Sequence, residues 1–454
     1  SVDGDDSNNG TESSPFGTIG HALTFVKEVG NATTIYVSAG VYSPDLTGEV
    51  FPIILPNNVH LIGDDAETTF LDAAADETKE AAVVIVKEVE TLTLKNFTLA
   101  NGYSEGHGCT GGGGLLIAAN DMYNLSAGDG GTGLDAITTP LIENLIIENN
   151  HSHNGGGLSF FRTHGSVLNN VIIRNNVATA FGGGVFSYGG KFTMTNVTVT
   201  GNQNMGEGQG GGMMLAGTEG TLDSMTITNN TANGSHGGAI WTNNSGDNEP
   251  GWVMTNSIIS GNHSDWFGGG IIFAWSDPSV INTVISGNSA WWGGGGIMAL
   301  ESGFTLEGST VSDNFSFGGG GGIFAWGPLA DGVEPPTIED CLITRNETDS
   351  DGGGILLEED LDAVISRTFV VNNHASGYIG GIDVVSTSTT INNVTVSGNT
   401  SGNGGGIGIS DNANVDIANS IVWGNTSTEV MLQSGSANVN YSNIEGGYDG
   451  MNNI

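Results

Sequence analysis

Asn282-Thr-Val-Ile-Ser-Gly-Asn288-Ser-Ala-Trp291-Trp292-Gly-Gly-Gly-Gly-Ile297 is one instance of a phrase that recurs along most of the chain. Its form is Asn-x-x-(Ile/Val)-x-x-Asn, followed shortly by a glycine run and an aliphatic residue. The closing Asn falls at Asn150, Asn176, Asn202, Asn230, Asn262, Asn288, Asn314, Asn346, Asn373, Asn399 and Asn425, and the commonest step is 26 residues. Ser224, Gly308, Asp340 and Arg367 replace the opening Asn in four copies. A period in this range is the mark of a solenoid. Each copy holds two or three short alternating stretches, such as Val171-Ile172-Ile173 and Phe192-Thr193-Met194-Thr195, punctuated by Gly and Asn. Strands that short, at that period, suit the coils of a parallel β-helix.

Stacking coils at the strand spacing of ~4.8 Å places equivalent residues above one another. Ile271, Ile297 and Ile323 then form an inward aliphatic ladder, and the repeated Asn form amide ladders at a turn. The glycine runs mark a corner that needs positive φ, or a place where coils approach too closely for a Cβ. The expected fold is all-β: a right-handed parallel β-helix of about 26-residue coils. Residues 1–32 are read as a cap and 33–454 as a single solenoid. Two steps of 32 residues point to inserted loops near 243–252 and 327–337. Ile19, Leu23, Val26 and Val29 have helical spacing, so a short capping helix is expected to cover the first coil.

Composition agrees. Of 454 residues 76 are Gly, which disfavours helix. The hydrophobic share of 37% is enough for a core. Asp and Glu number 49 against 9 Lys and Arg, giving a formal charge of −40. Nucleic acid is thereby excluded as a partner, since phosphate binding needs clustered basic residues. Polyanionic glycans are repelled unless divalent cations intervene. No run approaches the ~18 apolar residues of a membrane span, and no leader peptide opens the sequence as given. Cys109 and Cys341 lie about eight coils apart, on the order of 40 Å, beyond the reach of a disulfide.

The phrases Ile227-Thr-Asn-Asn230 and Gly237-Gly-Ala-Ile240 resemble the repeats of polymorphic outer-membrane proteins and related surface β-helices, although those families usually carry Phe where this chain has Ile or Val. The opening SVDGDDSNNGTESSPFGTIGHAL and the following IYVSAGVY are similar to the N-terminal segment of secreted pectate-lyase-like proteins. The two resemblances imply a right-handed β-helix that is secreted, extracellular or at the cell surface. They imply no activity, because this fold hosts lyases, hydrolases, adhesins and fibres alike.

A β-eliminating lyase needs a cation or Arg on the substrate carboxylate and a base beside it. The basic residues of the solenoid, among them Lys95, Lys191, Arg162, Arg174, Arg345 and Arg367, form no convergent pair in the repeat. Hydrolysis needs two spaced carboxylates; Gly106-His107-Gly108 superficially matches a polygalacturonase phrase, without that family's other motifs. No catalytic residues are assigned, and a polysaccharide lyase or glycoside hydrolase remains the alternative reading.

Two acidic clusters are calcium candidates. Glu347-x-Asp349-x-Asp351-Gly352, with Glu358 eleven residues after Glu347, has the spacing of an EF-type loop. Asp3, Asp5 and Asp6 form the other hard-oxygen cluster. Aromatic residues repeat at a 26-residue offset: Trp266 over Trp292, and Trp291 over Phe317, with Phe273, Trp275, Phe324 and Trp326 after the neighbouring glycine runs. Facing solvent, such a ladder is a sugar-stacking platform; facing inward, it fills a corner of the core. The favoured reading is an exported structural or adhesive β-helix that contacts extracellular polysaccharide or associates with itself, head-to-tail or laterally, through an unpaired β edge.

Overall fold

The computed structural model describes residues 1–29, 32–87, 89–105, 111–118, 139–243, 251–329 and 333–454. His107 and Cys109 lie outside these residues, as do the central parts of both expected insertions. The chain divides into two compact units, Ser1–Thr226 and Ile227–Ile454.

In the first unit, helix Ile19–Val29 packs on strands Thr33–Val37 and Ile53–Leu55, with Ile19 and Leu23 buried. Its start is held by acids. The Asp6 carboxylate accepts bonds from the Gly17 and Thr18 amides and the Thr18 hydroxyl, at 2.8–2.9 Å. Glu49, almost wholly buried, accepts from the Ile19 and Gly20 amides at 2.6 and 2.9 Å. These bonds satisfy amide donors that a helix start leaves free, and negative charge is favourable there. Strand Thr33–Val37 pairs in parallel with Val59–Gly63, which pairs with Thr91–Ala100. The ladder continues through Thr139–Glu148, Leu158–Arg174 and Val185–Thr200.

The second unit repeats more strictly. One ladder runs through strands Ile240–Asn243, Ile271–Ala274, Ile297–Leu300, Ile323–Trp326, Ile355–Glu358, Ile382–Val385 and Ile407–Ser410. The leading Ile of every one of these strands is fully buried, which is the aliphatic ladder the repeat predicts. Two further ladders of three- to five-residue strands and one of two-residue strands complete the coils.

The corners explain the residue types of the phrase. The opening position is left-handed, with φ of 52° at Asn256, 50° at Asn282 and 56° at Gly308. So is the residue before the closing Asn, as at Asn229, Gly261 and Gly287. Asn and Gly tolerate that conformation best. The closing Asn does something else. Asn288 donates from its main-chain N–H and its Nδ2 to Asn314 Oδ1, both at 3.0 Å, and from Nδ2 to the Ile259 carbonyl. It accepts the same pair of bonds from Asn262. The column runs from Asn230 to Asn425 and ends on Glu429, whose carboxylate takes both donors of Asn425. Asn150, Asn176 and Asn202 form the same ladder within the first unit. Asn150, Asn262 and Asn346, each the Asn of an Asn-x-Ser/Thr triplet, are therefore buried, whereas Asn196 is exposed.

The glycine runs serve both purposes the sequence allows. Gly294 has φ +64°, and a Cβ on Gly295 would sit 2.5 Å from the carbonyl oxygens of Gly321 and Phe315 on the next coil. Trp252, at the end of the first expected insertion, is buried and donates through Nε1 to Thr242 Oγ1 at 3.0 Å. Cys341 is buried too, where neighbouring coils carry Ser309 and Thr368, and burial pushes its thiol up to about 11. Residues 451–454 fold back onto the preceding strands: Tyr441 N–H donates to Met451 O, Ile444 N–H to Ile454 O, and Ile454 N–H to Ser442 O.

Candidate functional site

Between the two-residue strands and the glycine run, each coil of the second unit makes a short outward turn. Backbone bonds align these turns. The amides of Asp265, Trp291, Phe317 and Asp349 donate to the carbonyls of Ala232, Ser264, Ala290 and Ser316, so the four residues form one column. Trp266 and Trp292 form a second column beside it, joined by the bond from Trp292 N–H to Trp266 O. Consecutive residues of an extended turn point apart, which is why Trp291 and Trp292 belong to different columns.

The rings face solvent. Trp266 and Phe317 are each 44% exposed, and Trp291 and Trp292 each 53%. Trp266 and Trp292 stack with centroids 6.3 Å apart and planes at 24°, while Trp291 and Phe317 lie 4.5 Å apart at 37°. Phe315 meets Phe317 edge-on at 4.8 Å, and His236 lies 5.6 Å from Trp266. The aromatic residues after the glycine runs divide. Phe273 is fully buried, whereas Trp275 and Trp326 are exposed, and Trp275 Nε1 donates to Glu301 at 2.9 Å. The four residues named from the sequence as an aromatic platform are thus exposed and form two stacked pairs.

The calcium candidates are placed differently. Glu347 opens a two-residue strand in register with Phe315 and His374, and its side chain is exposed, as is that of Asp349. Asp351 accepts the Tyr378 amide at 2.6 Å. Glu358 closes strand Ile355–Glu358 beside Trp326, and burial, then Glu359 and Asp351, raise its pKa. The four acids lie within a single coil, with strands where flanking helices would stand. Near the N-terminus, Asp6 is taken up in capping the helix, Asp5 accepts the Ser7 amide, and Asp3 is exposed. Among the described residues, no group of three His, Cys, Asp or Glu could hold a metal ion.

One acid escapes the sequence reading. Asp383 occupies the slot that Ile272, Met298 and Leu356 fill on other coils, and it is only 7% exposed. Burial, then Asp351 and Glu358, push its carboxyl up to about 7. A Cβ on Gly408 would meet Asp383 Oδ1 at 2.6 Å and Ile379 Cγ1 at 2.4 Å, so the carboxyl is packed beneath Ile379. Such a group can hold a proton at neutral pH, but that packing closes it to a polymer. The signal was present as Gly381-Ile-Asp383, a charge in an otherwise apolar slot.

Basic side chains are largely neutralised. Lys95 pairs with Glu143, Arg174 with Glu148, Lys191 with Glu219, Arg345 with Asp313, and Arg367 with Asp340 and Glu339. Arg162 lies over the Phe161 ring at 6.0 Å.

A model described as "Right handed beta helix region" matches residues 183–400 and 279–446, together more than half of the chain. The chain belongs to that family of right-handed β-helix repeat proteins. A second model, described as "Protein of unknown function (DUF1565)", matches residues 2–188. Three solved structures are similar. The A-module of the mannuronan C-5 epimerase AlgE4 of Azotobacter vinelandii is 13% identical, with 88% of this chain and 94% of that one covered and a TM-score of 0.39. Tailspike protein 3 of bacteriophage CBA120 is 12% identical, covering 100% and 60%, at 0.35. The catalytic unit of a GH87 α-1,3-glucanase from Streptomyces thermodiastaticus is 13% identical, covering 96% and 66%, at 0.33. Likeness this distant concerns the fold alone. No curated protein matches the sequence. Among the described residues, no helix is long and apolar enough to cross a membrane.

Proposed function

We propose that this protein is an extracellular or cell-surface β-helix that contacts glycans through the face formed by Trp266, Trp291, Trp292 and Phe317, as a binding surface with no chemistry of its own. The observation that carries the reading is the column geometry: four large rings on three successive coils, all solvent-facing, with centroids 4.5–6.3 Å apart within each stacked pair. An apolar ring face flanked by polar edges is what the C–H face of a sugar stacks upon. Large exposed rings stacked on successive coils are also unusual for a surface that meets only water. The ion pairs support binding over lyase chemistry, because both arginines of the second unit already face carboxylates.

Affinity electrophoresis of the full chain in gels containing neutral, uronate or amino-sugar polysaccharides tests the reading. At least one polymer should retard the protein. Trp292→Ala combined with Trp291→Ala should weaken that retardation about tenfold or more, as loss of aromatic anchors does. Free migration in every gel, or unchanged retardation of the double variant, refutes it.

A further inference from the structure

We infer that the glycan taken by this face is one bearing free amines, such as a deacetylated hexosamine polymer; the inference rests on the glycan reading above. Its motive is the charge built into the same columns as the rings. The first column reads Asp265, Trp291, Phe317, Asp349, so a carboxylate stands at each end of the aromatic pair. Glu347 extends the acidic end, in register with Phe315, whose ring touches Phe317. Asp265 is itself oriented, accepting the Gly234 amide at 2.6 Å and facing His263 Nε2 at 3.1 Å. Asp349 and Glu347 are exposed, one coil beyond Phe317 and Phe315.

The surroundings act in the same direction. Residues Ile227–Ile454 hold 24 Asp and Glu against two Arg and no Lys. Those two arginines are the ones tied to Asp313 and to Asp340 and Glu339. A uronate or sulfated polymer would therefore meet like charge, with both arginines of these residues already paired and no lysine to receive it. A protonated amine is favoured twice, by the carboxylates and by the indole faces, since cations bind over Trp more strongly than over any other ring. The rings alone accept any sugar face, whereas the acids at both ends of the column distinguish the amine from its N-acetyl counterpart.

Three probes of equal length decide the matter by tryptophan fluorescence titration of the full chain: a glucosamine oligomer, the fully N-acetylated oligomer and a uronate oligomer. The amine oligomer should bind about tenfold tighter than the N-acetylated one at low salt, and the uronate oligomer should not bind. The preference should shrink as salt screens the carboxylates. Asp349→Asn with Glu347→Gln should bring the ratio of the two affinities down to within about twofold. Asp416→Asn with Asp449→Asn, removing the same net charge far from the rings in sequence, should leave the ratio as it was. Equal or tighter binding of the N-acetylated oligomer, or a ratio that survives Asp349→Asn/Glu347→Gln, overturns the inference and leaves the glycan reading intact. Binding of the uronate oligomer alone overturns the amine preference as well. Binding of none of the three, together with free migration in all gels, overturns both.

Discussion

Replacing Asp383 by Asn should change the pH dependence of stability more than stability itself. The carboxyl is packed between coils, with Leu356 and Gly408 as its register neighbours. Burial raises it from the ordinary 3.8 to about 7, with Asp351 and Glu358 adding to the effect. A carboxyl whose folded pKa lies above its unfolded one favours folding in its protonated form. Its contribution is complete below about pH 4, falls as pH rises through the window from 3.8 to about 7, and is gone above it. At 1.36 kcal/mol per pH unit, the ionised form costs up to about 4 kcal/mol at pH 8. Asn has nearly the same shape and carries no charge, so Asp383→Asn should match the parent to within ~1 kcal/mol at pH 4 and exceed it by ~2–4 kcal/mol at pH 8. Urea unfolding across pH 4–8 reads the difference. Hydrogen exchange of strands Ile355–Glu358 and Ile407–Ser410 localises it, because a long repeat chain need not unfold in one step. Other acids with raised pKa, such as the buried Glu429 and the exposed Asp277, titrate in both proteins and cancel. Parallel pH profiles for parent and variant would refute the argument.

Two further perturbations probe the stack. Asn288→Ala removes the acceptor of two buried donors on Asn262 and leaves Asn314 Oδ1 and the Ile259 carbonyl each short of a bond. The loss should be about 2–5 kcal/mol in urea unfolding, and a loss below ~1 kcal/mol would mean that the ladder contributes little. Truncation after Glu445 uncovers the edge now paired by Met451 and Ile454. Sedimentation velocity should then show more concentration-dependent association than the parent shows, whereas an unchanged profile would show that residues 446–454 do not guard the edge.

The coil, its period and the identity of its neighbours were legible because in a parallel solenoid each residue stacks on its own counterpart about 26 positions away, so sequence repetition and spatial adjacency are the same statement. Ile297 could be placed under Ile271, and Trp292 under Trp266, by counting alone. The chemical need at each corner was legible as well: left-handed turns select Asn or Gly, and the amide column needs a side chain that both donates and accepts. What counting cannot give is the direction a turn faces or the depth of a slot. The rings of Trp266, Trp291, Trp292 and Phe317 have the same spacing whether they line the core or the surface, and only the outward course of the turn exposes them. Trp252 looked like part of a projecting loop and is core, because its indole N–H finds Thr242 across the coil. Asp383 was hidden by the opposite effect, a charge in a place where the repeat leaves room only for an apolar side chain. The fold-back of residues 451–454 was likewise invisible, since the bonds joining Tyr441 to Met451, and Ser442 and Ile444 to Ile454, belong to no repeat. Local periodicity determined the architecture of this chain, and tertiary packing decided which of its repeated side chains meet solvent.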